Sequence, residues 1–172
     1  STLSPVEVDP NPQPVGNYSD AYIYSYGLNL TQKRWLFFES NDPMNAVYEG
    51  EEAPNGESIS AAGYDANNGV VYGLEASGKL YRYSGINPQS GKLTGRTQVA
   101  TVAGADSINE MAFNNADGQL YAISGAANLM TVDVDTRAVT AIGQFGSGVV
   151  AMDFDSNGTL WIVALYGAIC SV

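Results

Sequence analysis

The side chains best spaced for metal chemistry lie near the C-terminal end of the chain. Asp153, Asp155 and Asn157 alternate just before Gly158. Oxygen donors at alternate positions begin a calcium loop of the EF-hand type, but the twelfth position of such a loop is a Glu, and here it is Ala164. We therefore treat the first three residues as weak candidate calcium ligands, and we expect the protein to need no metal and no other cofactor.

A second carboxylate pair, Asp133 and Asp135, is predicted to lie at the end of a strand and in the turn that follows. Alternate residues of a strand point to the same side, so this pair would suit a cation or a sugar hydroxyl. We favour the alternative, in which Asp133 only forms the turn. A glycosidase needs two carboxylates about 5 to 10 Å apart on opposite sides of a sugar, and no pair in the sequence indicates that arrangement.

Composition excludes several function classes. Histidine is absent, which excludes Ser-His-Asp and Cys-His catalysis and His-ligated zinc. The glycines form no phosphate-binding motif. Seven basic and eighteen acidic residues give a net charge of −11, which disfavours nucleic acid and anionic lipid as partners. We predict a protein that is not an enzyme.

Three features bear on the compartment. Asn17, Asn29 and Asn157 each begin an N-x-S/T sequon in a predicted loop or turn, which is typical of a secreted glycoprotein, although Asn157 also suits a turn without any glycan. No apolar run is long enough to cross a bilayer. Cys170 has no second cysteine to pair with, so we interpret it first as a small strand residue and second as a site for an intermolecular bridge. We expect an extracellular or cell-surface protein with no membrane insertion.

The elements that hold these residues are hairpins of one repeated design. Residues 62–72, 111–121 and 152–161 each contain an apolar strand that ends in an aromatic residue, a polar turn with a glycine, and a second strand that begins Val-Tyr, Leu-Tyr or Leu-Trp. Asn-Gly and Asp-Gly turns supply the positive φ of tight hairpins. The turn glycines lie 49 and 40 residues apart, a period that suits four-stranded propeller blades.

A third strand follows in the same register, because Leu80, Leu129 and Ile169 each stand eight residues after the aromatic residue of the second strand. No segment has helical periodicity, so the sequence predicts an all-β protein. We expect an arm at residues 1–16 and a domain at 17–172. Its predicted blades lie near 17–50, 57–103, 106–146 and 148–172.

The repeat carries a resemblance. The segments 69–74, 78–81 and 129–133 have the form Gly-Val-Val-Tyr-Gly-Leu, Gly-Lys-Leu-Tyr and Leu-x-x-Val-Asp. These motifs resemble β-propeller repeats of secreted bacterial proteins, and residues 57–84 look like an uncharacterised extracellular domain family with such repeats. The resemblance implies a small β-propeller of about four blades but names no reaction.

The two ends of the chain are predicted to complement each other. Four prolines make residues 1–16 an extended arm, in which Val6, Glu7 and Val8 are the residues able to pair in a sheet. The last repeat has three predicted strands where the two before it have four. Its third strand, which contains Ile169, Ser171 and Val172, would therefore offer an open edge.

The arm can cover that edge in its own chain, which closes the ring, or in a neighbouring chain by donor-strand exchange. We favour exchange, and we interpret the protein as a self-assembling structural module, the subunit of a filament or surface polymer. The alternative is a monomeric carbohydrate-binding or cell-adhesion β-propeller with its ligand at the turns or the central channel. A third interpretation is that the sequence holds some blades of a longer propeller.

The aromatic residues near the start of the domain fit either function. Tyr22, Tyr24 and Tyr26 alternate on one predicted face, and Trp35 and Phe37 share another. We interpret them as a packing layer between blades, with a platform for glycans or a partner protein as the alternative.

Overall fold

The computed structural model describes the backbone of residues 22–29, 32–39, 47–48, 59–86, 93–103, 107–146, 148–165 and 169–171, and the side chains of most of these from residue 59 onwards. Fourteen strands occupy most of this part of the chain, and the described residues form no α-helix. The predicted all-β class is confirmed. Within the same ranges, no helix has the length and apolarity to cross a membrane.

The strands form four antiparallel sheets in which each strand pairs with its neighbour in sequence. The first sheet contains β1 (Tyr22–Asn29), β2 (Gln32–Glu39) and β3 (Val47–Tyr48). The second contains β4 (Ile59–Asp65), β5 (Val70–Glu75), β6 (Lys79–Ile86) and β7 (Leu93–Thr101). The third contains β8 (Ile108–Asn114), β9 (Gln119–Ser124), β10 (Asn128–Val132) and β11 (Val139–Gln144). The fourth contains β12 (Val149–Phe154), β13 (Leu160–Ala164) and β14 (Ile169–Ser171).

The predicted hairpin turns are present between the first two strands of the last three sheets. Gly69, Gly118 and Gly158 have φ values of 64°, 76° and 81°. This left-handed region is accessible to glycine without a steric penalty, so the glycine of each repeat is explained by its turn.

The sheets pack face to face through their first strands, with β4 against β8 and β8 against β12. One apolar cluster lies between the second and third sheets and includes Tyr72, Leu74 and Leu120. Another lies between the third and fourth sheets and includes Ile123 and Ile162. Because the third sheet has an apolar cluster on each face, its strand β9 carries buried apolar residues on both sides, with Leu120 in one cluster and Ile123 in the other.

An aromatic contact recurs at each of these two sheet interfaces. Tyr72 of β5 stacks on Phe113 of β8, with ring centroids 5.9 Å apart and ring planes 11° apart. One repeat later, Tyr121 of β9 packs on Phe154 of β12 at 4.8 Å. Aromatic residues of the repeat therefore join one sheet to the next.

The outer face of the fourth sheet is more open than the faces between sheets. Val150, Leu165 and Ile169 are 47%, 48% and 36% exposed. In contrast, Cys170 is 5% exposed and packs in the apolar cluster next to the third sheet. The interpretation of Cys170 as a small strand residue is confirmed, and its thiol is free.

The backbone of the first sheet corrects one prediction. The β1–β2 register places Tyr24 opposite Phe37 and Tyr26 opposite Trp35. Residues opposite each other in an antiparallel pair belong to the same sheet face, so these positions share one face rather than two. Asn29 is the last residue of β1 rather than a loop residue, and Asn17 lies outside the described residues.

Candidate functional site

A polar cleft of about 280 Å³ lies between the second and third sheets, at the end where their hairpin turns meet. Its polar side chains come from both sheets, and its apolar side chains continue the core beneath it. The lining residues are Asp65, Asn67, Asn68, Tyr72, Arg82, Val99, Phe113, Gly118, Val134 and Asp135.

The wall on the side of the second sheet is built by the β4–β5 turn. Asp65 is only 3% exposed, and its carboxylate accepts hydrogen bonds from the Asn68 backbone N–H at 3.0 Å and from Asn68 Nδ2 at 2.8 Å. These bonds tie the Asn68 side chain to Asp65 and fix the shape of the turn.

The facing turn of the third sheet holds that wall in place. Asn115 Oδ1 accepts a hydrogen bond from the Ala66 N–H at 2.7 Å, and the Asn115 carbonyl accepts one from Asn67 Nδ2 at 2.8 Å. Asn115 thus joins the turns of two neighbouring sheets. Hydrogen bonds therefore fix both turns that border the cleft without a ligand. This favours binding, because few side chains have to be ordered when a ligand binds.

Charges of both signs surround the Tyr72 hydroxyl. Burial raises the pKa of Tyr72, Arg82 lowers it, and Asp65 and Asp135 raise it further, so that the net change is upward. The phenol therefore keeps its proton and can both donate and accept a hydrogen bond.

Tyr72 differs from the aromatic residues at the same position of the next two repeats. Tyr121 donates its hydroxyl to Asp117 Oδ2 at 2.8 Å, and Trp161 donates Nε1 to Asp155 Oδ2 at 3.2 Å. Among the described residues, the Tyr72 hydroxyl has no such acceptor. In two repeats the polar group of this aromatic side chain donates a hydrogen bond to a turn carboxylate. In the remaining repeat the residue, Tyr72, lines the cleft instead.

Asp133 and Asp135 do not act as a pair. Asp133 Oδ1 accepts hydrogen bonds from the N–H groups of Asp135 and Thr136 at 2.9 and 2.8 Å, and bonds from Thr136 hold the pKa of Asp133 below its ordinary value of 3.8. This arrangement agrees with the interpretation of Asp133 as a turn-forming residue, because its carboxylate bonds to the amides of its own turn. Asp135 lines the cleft.

The candidate calcium ligands also lie around a turn. Asp155 Oδ1 accepts from the N–H groups of Asn157 and Thr159 at 2.9 and 3.0 Å, while Asp153 Oδ1 accepts from the N–H of Phe154 at 2.8 Å. In the described ranges, no three acidic, histidine or cysteine side chains gather as a metal site would require. Asp155 and Asn157 are therefore hydrogen-bonded to each other within a turn. The N-x-S/T sequon that begins at Asn157 lies in this turn, where Asn157 is exposed.

The hydrogen bonds of Asp155 predict a pH-dependent contribution to stability. Donors led by the Thr159 N–H and the Trp161 indole hold the pKa of Asp155 below its ordinary value of 3.8. A carboxyl group with a lowered folded-state pKa stabilises the fold above its unfolded-state pKa and loses that contribution as the pH falls through the folded-state value. We expect Asp155→Asn to lower the melting temperature most near neutral pH, and the difference from the unchanged protein to shrink between about pH 5 and pH 2.

Thermal melts followed by circular dichroism across that pH range test this prediction. Trp161→Phe removes one of the two leading donors, so its difference from the unchanged protein should also narrow in acid, by a smaller amount. A melting-temperature difference for Asp155→Asn that stays constant down to pH 2 would contradict the assignment.

The edge of the fourth sheet is a second candidate site. Ile169 and Ser171 lie on β14, whose inner side pairs with β13, and no described strand pairs with its outer side. The other predicted assembly residues, Val6, Glu7, Val8 and Val172, lie outside the described residues.

Sequence reasoning missed most of the cleft. Of its polar residues it singled out only Asp135, because Asp65, Tyr72 and Arg82 were all explained as strand residues of the repeat. The repeat offered one usable signal, since Arg82 occupies the position of Thr131 and Ser171 and is the charged member of that series.

Comparison with known proteins gives the fold and no family. No protein-family model matches the chain, and no curated protein matches it. Solved structures do match. The Xanthomonas campestris gluconolactonase XC5397 superposes with a TM-score of 0.60 and 12% identity over 84% of this chain and 46% of its own.

Two proteins of Bacteroides thetaiotaomicron give similar results. A structure of unknown function has a TM-score of 0.65 and 12% identity over 87% of this chain and 44% of its own. The extracellular domain of the putative hybrid two-component system BT4673 has a TM-score of 0.53 and 17% identity over 87% of this chain and 19% of its own. The chain thus spans less than half the length of each.

At these identities the likeness shows the fold alone, which is β-propeller-like. One of the neighbours is an enzyme, one has no known function and one is an extracellular domain.

Proposed function

We propose that this protein is an extracellular, non-enzymatic structural module, with its four sheets as the blades of a small propeller. In this proposal, copies join by strand exchange. Residues 1–16 of one copy add a fourth strand to the sheet β12–β14 of the next, and the repeated contact builds a filament or a similar surface polymer.

The open edge of β14 carries the proposal. The second and third sheets each continue past their third strand, to β7 and to β11, whereas no described strand continues the fourth sheet past β14. An exposed strand edge presents unpaired N–H and C=O groups and is a template for another strand. Strand addition of this kind gives affinity through main-chain hydrogen bonds.

The strand β11 shows what a fourth strand needs in this repeat. All six of its residues are exposed, including Val139 and Ile142, although it pairs with β10 along its length. A fourth strand can therefore be held by its backbone ladder alone, although β7 of the second sheet also buries Ala100, which is 4% exposed. In this proposal Val6 and Val8 add buried apolar side chains to a backbone ladder on β14.

The geometry of exchange determines the kind of assembly. An arm at one end of the chain and an acceptor edge at the other make a heterologous contact, which grows into an open filament unless the rotation between copies closes a ring. Cys170 is buried in the apolar cluster, so the join is non-covalent. Copies with a net charge of −11 repel each other, and added salt should therefore favour assembly.

A double substitution in the arm tests the proposal. Val6→Ser with Val8→Ser keeps the length and charge of the arm but removes its apolar anchors. We expect polymers to be lost or shortened, because the burial of two valine side chains contributes about 3 to 6 kcal/mol when it is complete. Analytical ultracentrifugation of the purified full chain measures the change.

Val15→Ser is the matched control, because it makes the same chemical change in the arm outside the pairing segment. Polymers should persist in this variant. Equal polymer content in the double variant and in the control would refute a role for residues 6–8.

A further inference from the structure

The cleft between the second and third sheets is independent of the β14 edge and has the features of a ligand site. Among the described residues, neither the Arg82 guanidinium nor the Asp135 carboxylate has a hydrogen-bond partner, and the Tyr72 hydroxyl has none either. The cleft is therefore lined by a hydrogen-bond donor (the guanidinium), an acceptor (the carboxylate) and a hydroxyl group that can act as either. We propose that this cleft binds one residue of a neutral sugar, with hydroxyl groups as the atoms recognised.

The charges of the lining favour a neutral ligand. Asp65, Asp135 and Arg82 all line the cleft, and all three are close enough to act on the ionisation of Tyr72. An anion would meet two carboxylates, and a metal ion would meet a guanidinium. A sugar hydroxyl satisfies both kinds of group at once, because it donates to a carboxylate and accepts from a guanidinium.

The apolar part of the lining suits the carbon face of a sugar ring. Val99 and Val134 are partly buried against the core, and Phe113, whose ring stacks on Tyr72, lines the cleft with them. Binding sites for small molecules combine such apolar walls with a few placed polar groups.

The size of the cleft limits the ligand to about one sugar ring. Its volume of about 280 Å³ lies near the lower end of the roughly 300–1,000 Å³ typical of small-molecule sites. The terminal residue of a glycan fits this space, and a longer chain would extend from it into solvent.

Saturation-transfer NMR with the full chain tests the site. The probes are free glucose, galactose, mannose, fucose and N-acetylglucosamine, each titrated alone. We expect at least one to bind. Tyr72→Phe, Arg82→Gln and Asp135→Asn should each weaken that binding about tenfold, because each removes a single hydrogen-bonding group from a preformed site. Tyr72→Phe keeps the ring that packs on Phe113, so it should not disturb the fold.

Asp153→Asn is the matched control, because it removes the same charge from an exposed residue of a different sheet. This variant should bind as the unchanged protein does. Failure of all five sugars to bind would overturn the proposal, and so would binding that survives all three cleft variants. Displacement of the sugar by calcium or by phosphate would also overturn it, since a neutral site has no preference for either ion. None of these results bears on strand exchange at β14, which is tested separately by the arm variants.

Discussion

Leu120→Ala is expected to lower the free energy of unfolding by about 2 to 5 kcal/mol. Leu120 is 1% exposed and lies on β9, in the cluster between the second and third sheets. Its Cδ1 fills the space beside Gly63, where a Cβ would stand only 2.9 Å away. Because the backbone of β4 approaches so closely there, removal of the side chain leaves a cavity that the two sheets cannot easily close. Urea unfolding followed by circular dichroism measures the loss.

Leu165→Ala makes the same chemical change on the open face of the fourth sheet, where the side chain is 48% exposed. Its effect should stay within about 0.5 kcal/mol, as is usual for surface positions. Equal losses for the two variants would mean that the face-to-face contact of the second and third sheets does not hold the fold together.

Deletion of residues 1–14 is expected to abolish polymers and to leave a folded chain. All described sheets lie outside the deleted segment, so the β-sheet signal in circular dichroism should persist. The deletion removes the proposed donor strand, and the acceptor edge at β14 stays open. Size-exclusion chromatography with light scattering measures the outcome.

A synthetic peptide of residues 1–16 sharpens this experiment. If the arm adds a strand to β14, the peptide should bind the deleted chain and should act as a chain stopper when added to the full chain. A peptide of the same composition in scrambled order is the control. Polymers that survive the deletion, or equal binding of both peptides, would exclude strand exchange.

The hairpin repeat could be predicted because its signals are local. Gly69, Gly118 and Gly158 supply the positive φ at each turn, and the apolar residues beside them set the register of the strands. Turn chemistry and side-chain alternation act over a few residues, so they can be recognised in a single sequence.

The cleft could not be predicted, because it depends on residues far apart in the chain. Asn115 bonds to Ala66 and Asn67 across 48 or 49 positions, and Arg82 meets Asp135 only when two sheets pack face to face. The role of Asp133, in contrast, could be predicted from local signals. An Asp at the end of a strand commonly forms the turn that follows, and its carboxylate accepts hydrogen bonds from the N–H groups of Asp135 and Thr136.

The native mass and shape of the unmodified protein test strand exchange most directly. Light scattering combined with negative-stain electron microscopy gives both quantities on one purified sample. Regular polymers that are many times the 18.1 kDa chain mass are the predicted result. A uniform compact particle of that mass would contradict assembly and would mean that the arm, if it pairs at all, pairs within its own chain.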